Sequence, residues 1–430
     1  MTTPAGPRGA EPARDRSPAR AGRHRLRTVL AVIVAVCAAA VAGVAGFSLL
    51  RSAGSSQSIA HHAAAGSGAA GSAGSGSAAV KPPNSSKPAR PALSPAQLAG
   101  QRVIYSYGGL TPPTRLLRWI RAGQVAGVIF FGGNIASPAQ LGGVVAELDR
   151  ANASPHNPLR HYPLLLMTDQ EGGLVRRLPG APELSEREIG AALHPAAAAK
   201  NAGRGAGRNL AGAGLNVNLA PVLDVYRTPG DFDDQFGRSY STSARQVAHL
   251  GADFIGAQQA TGVAATAKHF PGLGAAATAQ NTDEQPVTLD VPLSVLRGTD
   301  EYPYQAAIRA GVKLVMVSWA VYPALDPRRP AGLSARVVGG ELRQWLGFTG
   351  VTITDALEAG ALQAYGTTWH RATLAAGAGM DLILCSAQQA AQGNQARIAL
   401  AEGYQRGKLN QAAFRAAVQR VLALRSGLPG

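Results

Sequence analysis

Residues 164–173 read LLLMTDQEGG: four apolar residues, a threonine, and then an abrupt polar turn carrying Asp169 and Glu171. A short continuous apolar run bounded by glycine is the pattern of a strand buried on both faces. The same pattern recurs on either side. It appears as VIYSY from Val103, AGVIFFG from Ala126, VNLAPVL from Val217 and AATAKHF from Ala264, then LVMVS from Leu314, VTIT from Val351 and LILCS from Leu382. Between these runs lie stretches of helical character, such as TRLLRWIRAG (114–123), PAQLGGVVAELDRA (138–151), SARQVAHLGADFIGAQQA (243–260) and ARVVGGELRQWL (335–346). Eight alternations of strand and helix over roughly 250 residues or more predict an α/β fold of the (β/α)₈, TIM-like barrel type. A doubly wound sheet is the alternative, but no Gly-rich phosphate fingerprint follows the first run. The barrel is therefore expected over residues 95–430.

Ahead of it the composition changes three times. Residues 1–27 form a Pro- and Arg-rich tail expected to be disordered. Residues 28–50 (TVLAVIVAVCAAAVAGVAGFSLL) contain no charge and exceed the roughly 20 apolar residues that cross a bilayer. The preceding RHRLR should remain cytoplasmic, which sends everything downstream outside. A single-pass membrane anchor is the expectation, with a cleaved signal peptide and a secreted product as the alternative, because small residues follow the apolar run. Residues 51–94 are Ser/Gly/Ala-rich and then Pro-rich, as in a flexible linker.

The net charge of +16 suggests nucleic acid until its distribution is read. Eleven basic and two acidic residues precede residue 95, so +9 of that charge belongs to the tail and linker. The barrel carries no long Lys/Arg run, and a nucleic-acid partner is not expected. Cys37 and Cys385 lie in different regions and offer neither a disulfide framework nor a metal site. No metal or cofactor is expected.

In such barrels the reacting groups sit where strands end and the following loops begin. LLLMT runs into Asp169, VNLAPVL into Asp224, and the fifth run ends in Lys268-His269; LVMVS runs into Trp319, and VTIT into Asp355. Taken singly, each carboxylate reads as the cap of the next helix. Converging at one rim, without a nucleophile elbow or a metal-spaced histidine cluster, they suit glycoside chemistry. One carboxylate attacks the anomeric carbon and another group protonates the leaving oxygen, while Lys and Arg hold sugar hydroxyls.

From about Leu98 to Leu424 the chain resembles glycoside hydrolase family 3, in its single-domain bacterial β-N-acetylhexosaminidase form. The resemblance rests on VIFFGGNI from Val128, DQEGGLVRRL from Asp169, GLNVNLAPVLDV from Gly214, RSYS from Arg238, KHFPGLG from Lys268 and TDALEAGAL from Thr354. It implies a barrel, a retaining mechanism, and a covalent glycosyl-enzyme on Asp355. It further implies that Asp169 binds a sugar hydroxyl and that Arg238, Lys268 and His269 occupy the remaining substrate-binding positions. Arg177 matches a family arginine without an argued role.

One departure matters. The cell-wall enzymes of the family carry an Asp-x-His dyad in the loop after KHFPG, and its histidine is their acid/base. Here the loop reads LGAAATAQNTDEQPVTLD, with no histidine between His269 and His370. The dyad positions fall on Ala279-Gln280-Asn281 or, with a gap, on Asn281-Thr282-Asp283. Asp283 and Glu284 are the candidate proton donors, because a carboxylic acid desolvated in a closed site can be raised into that role; as solvated loop acids they would do nothing. His269 reads as a sugar contact. Two functions follow: an exo-β-N-acetylhexosaminidase acting on amino-sugar glycans outside the cytoplasm, or a silent sugar-binding relative that has lost its proton donor. A β-glucosidase specificity stays open.

Overall fold

The computed structural model describes residues 93–429. The tail, the apolar segment 28–50 and nearly all of the linker lie outside the described residues. No helix among the described residues is long and apolar enough to cross a membrane.

The eight apolar runs all become strands of one parallel barrel. They are β1 (Val103–Tyr105), β2 (Gly127–Ile129), β3 (Leu165–Thr168), β4 (Val217–Asn218), β5 (Ala264–Phe270), β6 (Leu314–Val317), β7 (Val351–Thr354) and β8 (Ile383–Leu384). Each pairs in parallel with its sequence neighbour from β1 to β7, and β8 returns to pair with β1. A bridge from Ile353 to Leu382 closes the ring between β7 and β8. A helix follows every strand: α1 (Thr114–Arg121), α2 (Pro138–Asn152), α3 (Pro195–Gly212), α4 (Ala244–Gln259), α5 (Tyr302–Arg309), α6 (Arg336–Trp345, wound as a π-helix), α7 (Thr368–Ala378) and α8 (Ala390–Gln405). The chain ends on α9 (Gln411–Ser426).

Strand side chains alternate between two apolar layers, as a period of two requires. Ile104, Ile129, Leu165, Met167, Leu314, Met316 and Ile353 fill the barrel interior. Val103, Tyr105, Val128, Leu166, Val315 and Val317 face outward against the helices. Continuous burial on both sides explains why these strands read as unbroken apolar runs.

The floor, at the N-terminal ends of the strands, is sealed by α9, whose Val421 and Leu424 pack on the interior cluster together with Leu428 beyond it. Arg425 is buried there and donates to the carbonyls of Pro163 and Tyr162, both at 2.8 Å, and to Gln101 Oε1. Nearby, the Asp381 carboxylate accepts from Arg343 at 2.6 Å and Arg420 at 2.7 Å. The Arg343, Arg420 and Arg425 guanidiniums are thus engaged in structural contacts at the floor, and the ionisable groups that converge at the strand C-termini lie at the opposite rim.

Candidate active site

After β3 the chain folds back in a small antiparallel hairpin, Gln170–Gly172 against Val175–Arg176. Gln170 is buried and ties it: its amide donates to Leu178 and Ala181 carbonyls, and its Oε1 accepts the Arg177 and Leu178 amides, all at 3.0 Å. Gly172 has φ +122°, and a Cβ there would meet the Leu184 carbonyl at 2.2 Å, so the first glycine of DQEGG is a packing requirement. This turn presents Asp169, Glu171 and Arg177 to the mouth of the barrel.

β5 delivers Lys268 and His269 beside them. Lys268 Nζ sits 2.8 Å from Asp169 Oδ1 and 2.7 Å from Glu171 Oε1. Glu171 also takes two hydrogen bonds from Arg238, from Nε at 2.9 Å and Nη2 at 3.0 Å. Arg238 continues the chain of alternating charge to Asp233 Oδ1 at 3.2 Å, and Arg177 Nη2 ends it 3.9 Å from Asp169 Oδ2. Burial alone would raise Glu171; the Arg238 and Lys268 cations overcome that and hold it down to about 2. Asp169 is likewise lowered, against burial, by Lys268 and Arg177. Both carboxylates are therefore fixed anions that hold three cations, Lys268, Arg238 and Arg177.

His269 Nδ1 faces Asp224 Oδ2 at 2.7 Å, and its Nε2 lies 3.3 Å from Arg238 Nη2. A carboxylate on one nitrogen and a permanent donor on the other fix the neutral tautomer with its proton on Nδ1. Burial and Arg238 lower its pKa to about 4. In that state Nε2 accepts, so His269 has no proton to give a substrate.

Asp355 follows β7. Its Oδ1 accepts the Ala356 amide at 2.7 Å, and the buried Trp319 supports the same turn by donating Nε1 to the Ala356 carbonyl at 2.8 Å. Burial and Asp283 raise the Asp355 carboxyl, opposed by His269 and Lys268. Asp283 is open to solvent but sits in the concave mouth. Crowding by the surrounding protein raises its carboxyl, with Glu358, Asp169 and Glu284 adding to the rise and Arg238 opposing it. Its neighbour Glu284 is also exposed, and only its backbone makes a close approach, to Gly360. The fold thus brings Asp169, Arg177, Arg238, Lys268, His269, Asp283 and Asp355 to one rim, and of the two adjacent loop acids Asp283 is the one whose charge raises Asp355.

Residues 97–424 match the family described as glycosyl hydrolase family 3 N terminal domain. The chain belongs to glycoside hydrolase family 3. A protein of Arthroderma benhamiae described as an uncharacterized secreted glycosyl hydrolase is 45% identical over 338 residues, covering 78% of this chain and 95% of the relative. Among solved structures, a family 3 β-N-acetylglucosaminidase from Paenibacillus superposes with a TM-score of 0.73 at 35% identity, over 78% of this chain but only 63% of its own. The β-N-acetylhexosaminidase of Beutenbergia cavernae gives 0.70 at 33% identity, over 78% of this chain and 99% of its own.

Several groups of this family 3 site carry no sign in the sequence of what they do. Glu171 and Asp224 stand at strand ends, but their partners lie 67 and 45 residues away. Glu186 is buried with one oxygen on the Val222 amide at 2.9 Å. Its other oxygen and the Tyr240 hydroxyl have no partner among the described residues, and burial with Glu171 pushes the carboxyl well above its ordinary range. Asp224, Asp233 and His269 place one ligand atom each within 4.8 Å of one another. Arg238 already supplies the positive charge of that cluster, reaching both Asp233 and His269.

Burial and the Asp224 charge raise Asp233 to about 7. An unfolded aspartate titrates near about 3.9, so the native state holds the extra proton and wild-type stability declines as pH rises from about 4 to about 7. Asp233→Asn removes that titration while keeping an acceptor for Arg238. The difference in melting temperature, variant minus wild type, should climb between pH 4 and 7 and level off above. A pH-independent difference would refute the raised carboxyl at Asp233.

Proposed function

We propose that this glycoside hydrolase is a retaining exo-β-N-acetylhexosaminidase that releases N-acetylglucosamine from cell-wall or related glycans outside the cytoplasm. The observation that carries the reading is the pairing at one rim of a raised carboxyl, Asp355, with an array of fixed cations and anions suited to sugar hydroxyls. The Paenibacillus and Beutenbergia relatives, a β-N-acetylglucosaminidase and a β-N-acetylhexosaminidase, support the amino-sugar specificity.

In this mechanism Asp355 attacks the anomeric carbon, forming a glycosyl ester, while Asp283 gives its proton to the departing oxygen. The resulting Asp283 carboxylate then takes a proton from the water that cleaves the ester, restoring both groups. Asp169, Lys268 and Arg238 hold the sugar, His269 lines the same subsite while its Nε2 steadies Arg238, and Arg177 steadies Asp169. Mutual repulsion of two carboxylates keeps one proton on the pair at working pH. Activity should therefore be bell-shaped in pH, with apparent values belonging to the pair.

The test is a panel of nitrophenyl glycosides on residues 95–430. The β-N-acetylglucosaminide should exceed the β-glucoside in kcat/KM by about 10²-fold or more. Equal or reversed preference supports a glucosidase, and tight N-acetylglucosamine binding without turnover of any aryl glycoside supports the silent relative. For export, we propose that residues 28–50 carry the chain across the membrane. The secreted description of the Arthroderma relative favours removal of this segment over its retention as an anchor, and N-terminal sequencing of the exported protein distinguishes the two.

A further inference from the structure

We propose that Gly360 and Ala361 are positioning residues for the proton donor: they clamp the tip of loop 272–288 so that Asp283 is set toward Asp355 before substrate arrives. The proposal rests on the reading of Asp283 as the donor.

Two backbone hydrogen bonds make the clamp. The Gly360 amide donates to the Asp283 carbonyl at 2.7 Å, and the Ala361 amide donates to the Thr282 carbonyl at 3.0 Å. The two chains approach so closely that a Cβ on Gly360 would lie 2.1 Å from the Glu284 oxygen and 2.3 Å from its carbonyl carbon. Only glycine admits that contact.

The segment that holds the loop is the one that carries Asp355. It is itself fixed along its length. Trp319 holds the Ala356 carbonyl, the Leu357 amide donates to Leu384 at 3.0 Å, and both Glu358 oxygens are occupied. Glu358 accepts from the Ser386 hydroxyl at 2.6 Å, the Ser386 amide at 3.3 Å and Gln392 at 3.0 Å. One strap of six or seven residues thus spans from the attacking carboxylate to the backbone of the donating one.

The loop's root is pinned elsewhere. Tyr322 donates to the Gly272 carbonyl at 2.9 Å, the Leu273 amide to Asp224 at 2.6 Å, and Thr278 Oγ1 to the Gly230 carbonyl at 2.6 Å. On its far side the Val321 amide donates to Val287 at 2.9 Å. With root and tip both tied, the loop cannot withdraw as a unit without breaking backbone hydrogen bonds. The Asp283 side chain, by contrast, makes no hydrogen bond among the described residues. The clamp therefore fixes the backbone and leaves the carboxyl free to exchange its proton, which is how a donor is preorganised without being immobilised.

The experiment uses aryl β-N-acetylglucosaminides spanning good to poor leaving phenols, with Gly360→Ala, Ala361→Pro and Asp283→Ala compared with wild type. Proton donation matters in proportion to leaving-group basicity. Both clamp variants should stay within about threefold of wild type on the dinitrophenyl glycoside yet lose about 10²-fold on the poorest phenol, sharing the steep slope of Asp283→Ala. A loss spread evenly over all leaving groups, which is what a merely structural role would give, overturns the clamp. So does a wild-type slope in both variants. In either case a steep slope in Asp283→Ala leaves the donor assignment standing. A wild-type slope in Asp283→Ala itself removes the donor and the clamp together. Should Gly360→Ala fail to fold, Ala361→Pro decides alone, because it deletes one N–H in the first turn of a short helix, where no intrahelical hydrogen bond is lost.

Discussion

Asp355→Asn should lower hydrolysis by at least about 10⁴-fold, even for nitrophenyl substrates with excellent leaving groups. An amide cannot form the ester intermediate, and no other step bypasses it when Asp355 is the nucleophile. The geometry makes the substitution clean. Oδ1 accepts the Ala356 amide, a bond that the asparagine oxygen can keep, so the turn and its Trp319 support should persist. Unchanged melting temperature with abolished turnover is the expected signature, and a fluorinated mechanism-based N-acetylglucosaminide should label Asp355 in the wild type. A label on Asp283 or Asp169 instead would reassign the nucleophile.

Asp283→Ala should lose about 10²- to 10⁴-fold on disaccharides and far less on nitrophenyl substrates. The contrast arises because a nitrophenolate leaves without a proton and a sugar alkoxide does not. Removing the carboxylate also removes the base that activates water in the second step. External azide, which needs no such base, should therefore accelerate deglycosylation and yield the β-glycosyl azide. The corresponding Glu284→Ala variant should behave as wild type on both substrate classes. If both variants hydrolyse disaccharides normally, the donor lies elsewhere in the mouth.

The barrel was legible because its strands are buried on both faces. LLLM (164–167) and LVMV (314–317) carry no polar interruption, and polar residues begin where these runs stop. The site was legible only in part. Asp169, Asp224, Lys268-His269 and Asp355 stand at those stops, so position alone marks them. What position does not reveal is pairing. That Glu171 joins Lys268 to Arg238, or that Asp224 fixes the tautomer of His269, depends on strands closing into a ring. Asp283 and Glu284 are adjacent and chemically alike, and nothing in the loop's composition separates them. The separation appears only in the folded chain, where the Asp283 charge raises Asp355 and the Gly360 and Ala361 amides hold the Asp283 and Thr282 carbonyls. The small hairpin after β3 was not foreseen either, because its register is set by the buried Gln170 side chain and not by any apolar alternation.

The pairing of β1 with β8, reinforced by Arg425 reaching back to Gln101 near the domain's start, has a consequence for synthesis. Every intermediate length of chain leaving the ribosome has a first strand with an open edge and a core without its bottom plug. Such contacts, nearly the whole domain apart in sequence, form late and slowly. The domain can acquire its final shape only once its last helix has been made.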